Sequence, residues 1–470
     1  MNKKYYLTTP IYYVNDVPHI GHLSTTLAAD FLARYHRLKN YQVFFLTGTD
    51  EHGQKVAQAA EQKKLSPQEF TNQVSARFRQ AWKELYISND FFIRTTDPRH
   101  KKIASQIIQK IYDQGDIYQD TYEGLYCIGC EKFLTESDLV DGHCPFHPPE
   151  KTVSQKETNW FFKLSKYVPQ IIELLENKKT NYAFPESKRK EVLAKLKTGV
   201  HDISFSRANV EWGVPVPWDK TQTVYVWVEA LLNYYTATQF LPRKKNYWPA
   251  DLHLLGKEII WFHMVIWQAM LLSAKLPLPK KVFAHSFYII DEKKISKSLG
   301  NMISPRELID QFGAEGTRYL IASSFPDKND TNVSLRKFKE KYNADLANNF
   351  GNLVSRVAKL TKDLKITNPK IKLNFYPQVE NNLKKVDFNK ALEFIWLKKI
   401  DKLNLILNQE KPWQQKETKA KAILIKIIKE IQLINYNLKP FLPETSSKIE
   451  KIFRPGKLTS LPQNPLFPRI

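Results

Sequence analysis

Two periods of apolar and polar positions alternate through the first fifty residues. Tyr5 to Tyr13 is a run of aromatic, apolar and threonine positions, which predicts a buried strand. Asn15-Asp16-Val17-Pro18 ends it, and Leu23, Leu27, Phe31 and Tyr35 then recur near helical spacing. A second strand, Gln42 to Leu46, runs into Thr47-Gly48-Thr49-Asp50-Glu51-His52-Gly53. Glycines and acids gathered at the carboxyl end of a strand are where open α/β sheets bind ligands. Further along, Val224-Tyr225-Val226-Trp227-Val228 is β-branched and aromatic and reads as a buried strand. Helical spacing follows, with Trp227, Leu231 and Tyr234 on one side. If Gly256 to His263 is helical, Ile259 and His263 share a face. Val282 to Ile290 reads as a strand and Asp291-Glu292-Lys293 as a turn. Ser304-Pro305-Arg306-Glu307 has the form of a capping box with proline at the first helical position. In the last third, Leu346, Phe350, Leu353 and Val357 trace one helical face, and Asn349, Asn352 and Arg356 the other. Leu/Ile/Lys patterns from Lys384 to Lys439 predict a helix bundle, interrupted at Glu410-Lys411-Pro412-Trp413.

Composition narrows the class. At 470 residues the chain has room for about three domains. A formal charge of +23 favours polyanionic partners such as nucleic acid. No stretch is long and apolar enough for a bilayer span, and the start meets Pro10 too soon for a signal peptide, so a cytoplasmic protein is expected. The three cysteines, Cys127, Cys130 and Cys144, form one cluster, which argues against a disulfide framework and for a metal.

Candidate chemistry sits at a few places. His19 and His22 stand three apart at a strand-to-helix turn, where free backbone N–H groups and the helix dipole favour phosphate. Gly21 between them allows close approach. Lys294 and Lys297 lie in a small-residue loop, and the two basic clusters together suit a triphosphate whose charge is stabilised during transfer. Asp50 could hold an ammonium group or simply cap a helix. Cys127-Ile128-Gly129-Cys130 and Cys144-Pro145-Phe146-His147 supply a tetrahedral-type N/S set for structural zinc, with His147 the fourth ligand and His143 the alternative. Trp413 and the polar face of the bundle suit stacking on single-stranded bases.

Pro18-His19-Ile20-Gly21-His22 and Lys294-Ile295-Ser296-Lys297-Ser298 resemble the HIGH and KMSKS signatures of class I aminoacyl-tRNA synthetases. Thr8-Thr9-Pro10-Ile11-Tyr12-Tyr13, Phe44 to Gly53, Phe92 to Asp97, Ser204 to Arg207 and Trp212 to Pro215 are similar to stretches of the methionyl-tRNA synthetases in their bacterial form, and the likeness runs almost to Ile470. The resemblance implies an α/β fold. A Rossmann-type parallel-sheet catalytic domain is split by a zinc-knuckle insertion and followed by an all-α anticodon-binding bundle. The implied boundaries are 1–115 and 221–290 for the two sheet halves, 116–220 for the insertion, 291–345 for the KMSKS-loop region and 346–470 for the bundle. It implies ATP-dependent activation of L-methionine to methionyl-adenylate and transfer to initiator and elongator tRNA(Met), with Mg²⁺ assisting and one structural Zn²⁺ held by Cys127, Cys130, Cys144 and His147. His19, His22, Lys294 and Lys297 are the implied catalytic groups. His19, Gly21, His22, Gly256, Glu258, Lys294, Ser296, Lys297 and Ser298 are the implied ATP contacts. Ile11, Tyr13, Asp50, Trp227, Tyr234, Ile259 and His263 are implied for methionine, and Asn352, Arg356 and Trp413 for the anticodon.

The chain departs from the usual pattern at Glu229 and Glu258, where aspartate is common, at Ser286, where glycine is usual, and at Ile295, where methionine is usual. Some relatives add a C-terminal dimerising domain; none is seen here, so a monomer is expected. The rivals are another class I synthetase, a small-molecule nucleotidyltransferase and a non-catalytic RNA-binding relative. The short insertion disfavours the branched-chain synthetases, which need room for a large editing domain.

Overall fold

The aromatic and threonine-rich start forms β1 (Lys4–Tyr13), and the helical period that follows forms α1 (Ile20–Leu38). Leu23, Leu27, Phe31 and Tyr35 of α1 are all buried, as the spacing requires. The chain continues through β2 (Gln42–Asp50), β3 (Phe91–Arg94) and α2 (Pro98–Asp113). Two long antiparallel strands, β4 (Ile117–Cys127) and β5 (Thr152–Phe162), then form a separate sheet. A short strand, β6 (Ala183–Phe184), returns to the main sheet, so that sheet draws one edge strand from within residues 116–220. Two short helices, α3 (Val226–Leu231) and α4 (Asn233–Phe240), precede β7 (Leu252–Gly256) and β8 (Val282–His285). The structure is a computed structural model of the chain and describes every residue except 1–2, 15–16, 128–131, 135, 137–138, 146–147, 178–179, 181, 291, 295–301 and 463.

The main sheet has the order β3-β2-β1-β7-β8-β6, with every pair parallel. The chain runs outward from β1 to β3 and then restarts beside β1 with β7. That reversal opens a crevice at the carboxyl ends of β1 and β7. Ile11, Tyr13, Asp50 and Gly256 lie at the carboxyl-terminal ends of β1, β2 and β7, and His19, Gly21, His22, Glu258, Ile259 and His263 lie on the turns and helices that follow.

Two sequence expectations change. The strand expected over Val224–Val228 ends at Val224, and α3 begins at Val226. Tertiary partners of Glu229 hold the helix there despite the β-branched residues. The strand expected over Val282–Ile290 is two strands. β8 belongs to the main sheet, whereas β9 (Tyr288–Ile290) pairs in parallel with Thr331–Val333 and antiparallel with Lys293–Lys294. The break falls where Ser286 N–H donates to Pro326 O and Phe287 N–H to the Asp330 carboxylate.

Beyond β9, α5 (Pro305–Ser323) starts with Ser304 as N-cap, its hydroxyl accepting from Glu307 N–H at 3.1 Å, and Pro305 at the first position. Helices fill the rest of the chain. Leu346, Phe350, Leu353 and Val357 are fully buried among them. One continuous apolar core joins α1, α5 and this helical region. Arg318 of α5 sits at the junction, 0% exposed. Its guanidinium donates to Asp30 of α1 at 2.7 Å and to the carbonyls of Leu85, Pro440 and Phe441 at 2.8–2.9 Å. Among the described residues no helix is long and apolar enough to cross a membrane.

Candidate active site

The turn between β1 and α1 is built by its two histidines. His19 is the N-cap of α1, and its Nδ1 accepts from Gly21 N–H at 3.1 Å. His22 Nδ1 accepts from His19 N–H at 3.4 Å, closing a histidine version of the capping box. A ring nitrogen that accepts carries no proton, so each imidazole has its N–H on Nε2. The rings stack with centroids 3.8 Å apart. Burial, and then the neighbouring His19, hold the His22 imidazole well below its ordinary value. His22 is therefore neutral near pH 7 and offers an N–H donor rather than a cation. A Cβ on Gly21 would sit 2.9 Å from His19 Cε1, which is the physical reason for glycine at this position.

The chain that follows the second basic cluster returns to the same turn. Ile303 O accepts from Ile20 N–H, the first amide of α1, at 2.9 Å. On the entry side, Lys294 pairs through its backbone with Ile289 of β9. The chain on both sides of the lysine loop is thus anchored, and its exit lies against the His19/His22 turn. Ser296, Lys297 and Ser298 themselves lie outside the described residues.

On the methionine side, Asp50 ends β2 opposite Tyr13 of β1 and is 5% exposed. Tyr234 O–H donates to His263 Nε2 at 2.7 Å, because His263 Nδ1 is committed as a donor to Ile259 O at 2.9 Å. Burial pulls the His263 imidazole down to about 4, which keeps it neutral. Burial raises the Tyr234 hydroxyl, with a smaller push from the Asp50 charge. Trp227, half-buried, stacks on Phe262 at 4.1 Å. Lys257–Ile259 forms a 3-10 turn and Phe262–Ile266 a wide π turn, rather than one regular helix; Ile259 and His263 still meet through their hydrogen bond. Ile11 and Tyr13 are half-buried on β1. Tyr234, His263 and Ile259 are thereby joined in one chain of hydrogen bonds, Tyr13 and Asp50 are paired in register, and Trp227 packs on Phe262, the sequence neighbour of His263.

On the nucleotide side, Gly256 ends β7 and the Glu258 carboxylate folds back over it, 2.3 Å from where a Cβ would stand. Solvent reaches Glu258, yet protein surrounds it in the crevice and raises its carboxyl. Burial, and more weakly the Glu258 charge, raise the Tyr12 hydroxyl, and the Tyr12 ring lies 4.8 Å from that of His22. Lys257 pairs with Asp330 at 2.6 Å. Thr25 of α1 bonds His285 Nε2 at 2.7 Å.

Several residues here escaped the sequence reading: His52, His100, Thr236, His285 and Asp330. Each is a buried or bridging polar group whose partner is distant in sequence. The signal for His285 was its adjacency to Ser286; the other four had none in the local pattern.

The remaining candidates lie elsewhere. Cys127 and Cys144 are buried together with Leu134 in a small cluster at the far end of the β4/β5 sheet. Cys130 and His147 lie outside the described residues. His143 is exposed, its Nδ1 donating to Asp141 O at 2.7 Å. In the helical region Asn352 is exposed, and Arg356 places its guanidinium 5.7 Å from the Trp413 ring, which is 47% exposed. Lys411, at φ 41°, makes the left-handed bend that ends the preceding helix and presents Trp413.

A parallel sheet with a histidine-capped turn at its switch point, and the segment after the lysine signature held against that turn, are the features of a class I aminoacyl-tRNA synthetase. The family described as tRNA synthetases class I (M) matches residues 5–152 and 147–358. The methionine–tRNA ligases of Caldanaerobacter subterraneus subsp. tengcongensis and Rickettsia conorii are 40% and 41% identical; each alignment spans 96% of this chain, and 74% and 92% of those proteins. The solved structure of Mycobacterium tuberculosis methionyl-tRNA synthetase in complex with methionyl-adenylate is similar at a TM-score of 0.91 and 33% identity, over 99% of this chain and 100% of that one. The free-state structure of that enzyme superposes with a TM-score of 0.83. The chain belongs to the methionyl-tRNA synthetase family.

Proposed function

We infer that this chain is a methionine–tRNA ligase that activates L-methionine with ATP and esterifies it to tRNA(Met). The observation that supports this reading is the hydrogen bond from Ile20 N–H, within the first signature, to Ile303 O, in the segment that follows the second, in a chain matched by its relatives nearly end to end. In the first step a methionine carboxylate oxygen attacks the α-phosphorus of ATP and pyrophosphate leaves, giving methionyl-adenylate. In the second, the terminal ribose hydroxyl of tRNA attacks the activated carbonyl and AMP leaves. No enzyme nucleophile takes part; positioning and electrostatic stabilisation act instead.

Asp50 receives the α-ammonium group, and Tyr13, Trp227, Tyr234, Ile11, Ile259 and His263 wall the side chain, where aromatic faces suit a thioether. The Nε2–H donors of His19 and His22 meet the phosphates. Lys294 and Lys297 supply the positive charge, which the neutral His22 does not. Gly21 and Gly256 leave room for the nucleotide, and Glu258 reaches the ribose. Ser296 and Ser298 add hydroxyl contacts to the phosphates. Mg²⁺ enters with ATP as part of the substrate.

The insertion, residues 116–220 between sheet halves 1–115 and 221–290, is proposed to carry structural zinc on Cys127, Cys130, Cys144 and His147. What supports this is the paired spacing of the thiols in sequence and the burial of Cys127 and Cys144 together with Leu134. Residues 291–345 carry the lysine loop, and 346–470 read the anticodon through Asn352, Arg356 and Trp413. A cytoplasmic monomer fits this role. The test is pyrophosphate exchange across a panel of amino acids. Exchange that depends on methionine alone supports the reading; exchange indifferent to methionine overturns it.

A further inference from the structure

We propose that Glu229 is a positioning residue for methionine, its carboxylate clamping the helix that carries Trp227 onto the loop that carries Asp50. Glu229 is 1% exposed on α3. One carboxylate oxygen lies 3.0 Å from His52 Nδ1 and the other 2.6 Å from His100 Nε2. An ionised carboxylate only accepts, so both imidazoles present N–H to it. His100, on α2, bonds Thr236 of α4 at 2.7 Å through its other nitrogen. Burial alone would raise the Glu229 carboxyl; the His52 charge and the hydrogen bonds from both rings outweigh it and hold the group ionised.

The register carries the inference. His52 lies two residues after Asp50, Glu229 two residues after Trp227, and Thr236 two residues after Tyr234. Three of the four residues of the buried chain thus stand two positions from a proposed methionine contact, and His100 links two of the three. The chain sets the spacing between the ammonium site and the thioether wall without touching substrate. The longer glutamate, where the family pattern has aspartate, lets one carboxylate reach both imidazoles. A glutamine of the same shape keeps one accepting oxygen and turns an NH₂ group toward the other ring, releasing one arm.

The inference rests on the methionine reading and deepens it. The test compares Glu229→Gln and His100→Gln with the unaltered chain, by methionine titration without ATP and by KM for methionine and for ATP in pyrophosphate exchange. In Glu229→Gln, methionine Kd and KM are expected to rise about tenfold with the ATP KM unchanged within twofold. His100→Gln should show the same split, smaller, and decides the matter alone if Glu229→Gln does not fold. A methionine KM within twofold of normal, or methionine and ATP KM values rising in step as from general loosening, overturns the clamp. An unaltered chain whose exchange does not need methionine overturns the functional reading instead.

Discussion

Gly21→Ala separates the structural from the catalytic work of the histidine turn. The added Cβ would stand 2.9 Å from His19 Cε1 and 3.0 Å from Nδ1, whereas ordinary contact begins at 3.4 Å, so the ring must retreat by about 0.5 Å. That retreat stretches the 3.1 Å bond from Gly21 N–H beyond useful length. Loss of the cap costs about 1 kcal/mol. Alanine in place of glycine within a helix gains about the same. The two cancel, and the melting temperature should stay within about 2 °C of normal. Activity has no such compensation. A 1 Å misplacement can lower a rate about a hundredfold, so half of that predicts about tenfold slower adenylate formation. Methionine-dependent pyrophosphate exchange, run beside a thermal melt, reads both quantities. An exchange rate equal to that of the unaltered chain, or a melt lowered by more than about 5 °C, would show that the backbone and not the imidazole absorbs the clash.

Three further outcomes are expected. Cys144→Ser should lose zinc and thermal stability together, and a variant that keeps full zinc stoichiometry would remove Cys144 from the ligand set. Trp413→Ala should weaken tRNA binding about tenfold or more, as the loss of one stacking surface does, while tRNA-independent pyrophosphate exchange stays within twofold; an unchanged aminoacylation KM for tRNA would count against base contact there. Burial holds His263 and His285 down at about 4, against an ordinary value of 6.5. The unfolded chain therefore takes up these protons first, and stability, full above about pH 6.5, falls by about 1.4 kcal/mol per pH unit for each imidazole as the pH drops toward 4. Urea unfolding that is flat from pH 7 to pH 5 would refute that burial.

What could be read from the chain was local. The period change at Pro18 gave the strand, turn and helix around His19 and His22, and the acid at the end of the second strand stood where the sheet opens. Of the two faces around Asn352 and Leu353, the apolar one is buried throughout, while on the polar one Asn352 is exposed and Asn349 and Arg356 are half-buried. What escaped is non-local. Val226–Val228 looks like strand by propensity, yet Glu229 is held by histidines 177 and 129 residues away, and helix results. The run from Val282 to Ile290 is uniformly strand-like, yet Asp330 and Pro326 claim the backbone donors at its middle and send its two halves into different sheets. Side-chain bridges of this kind leave no periodic trace.

Arg318 bears on how the molecule can be divided. Two of its four acceptors, the carbonyls of Pro440 and Phe441, come from the turn between the last two helices, and the others are Asp30 of α1 and the Leu85 carbonyl. A truncated chain ending before Pro440 would strand a fully enclosed guanidinium with half its acceptors gone, a loss of several kcal/mol. The terminal helices are thus no detachable appendage. Excising them to obtain a minimal adenylate-forming core should yield an unstable product even though no reacting group is removed. Homologous replacement of that segment has to preserve these two carbonyls before it preserves anything that recognises RNA.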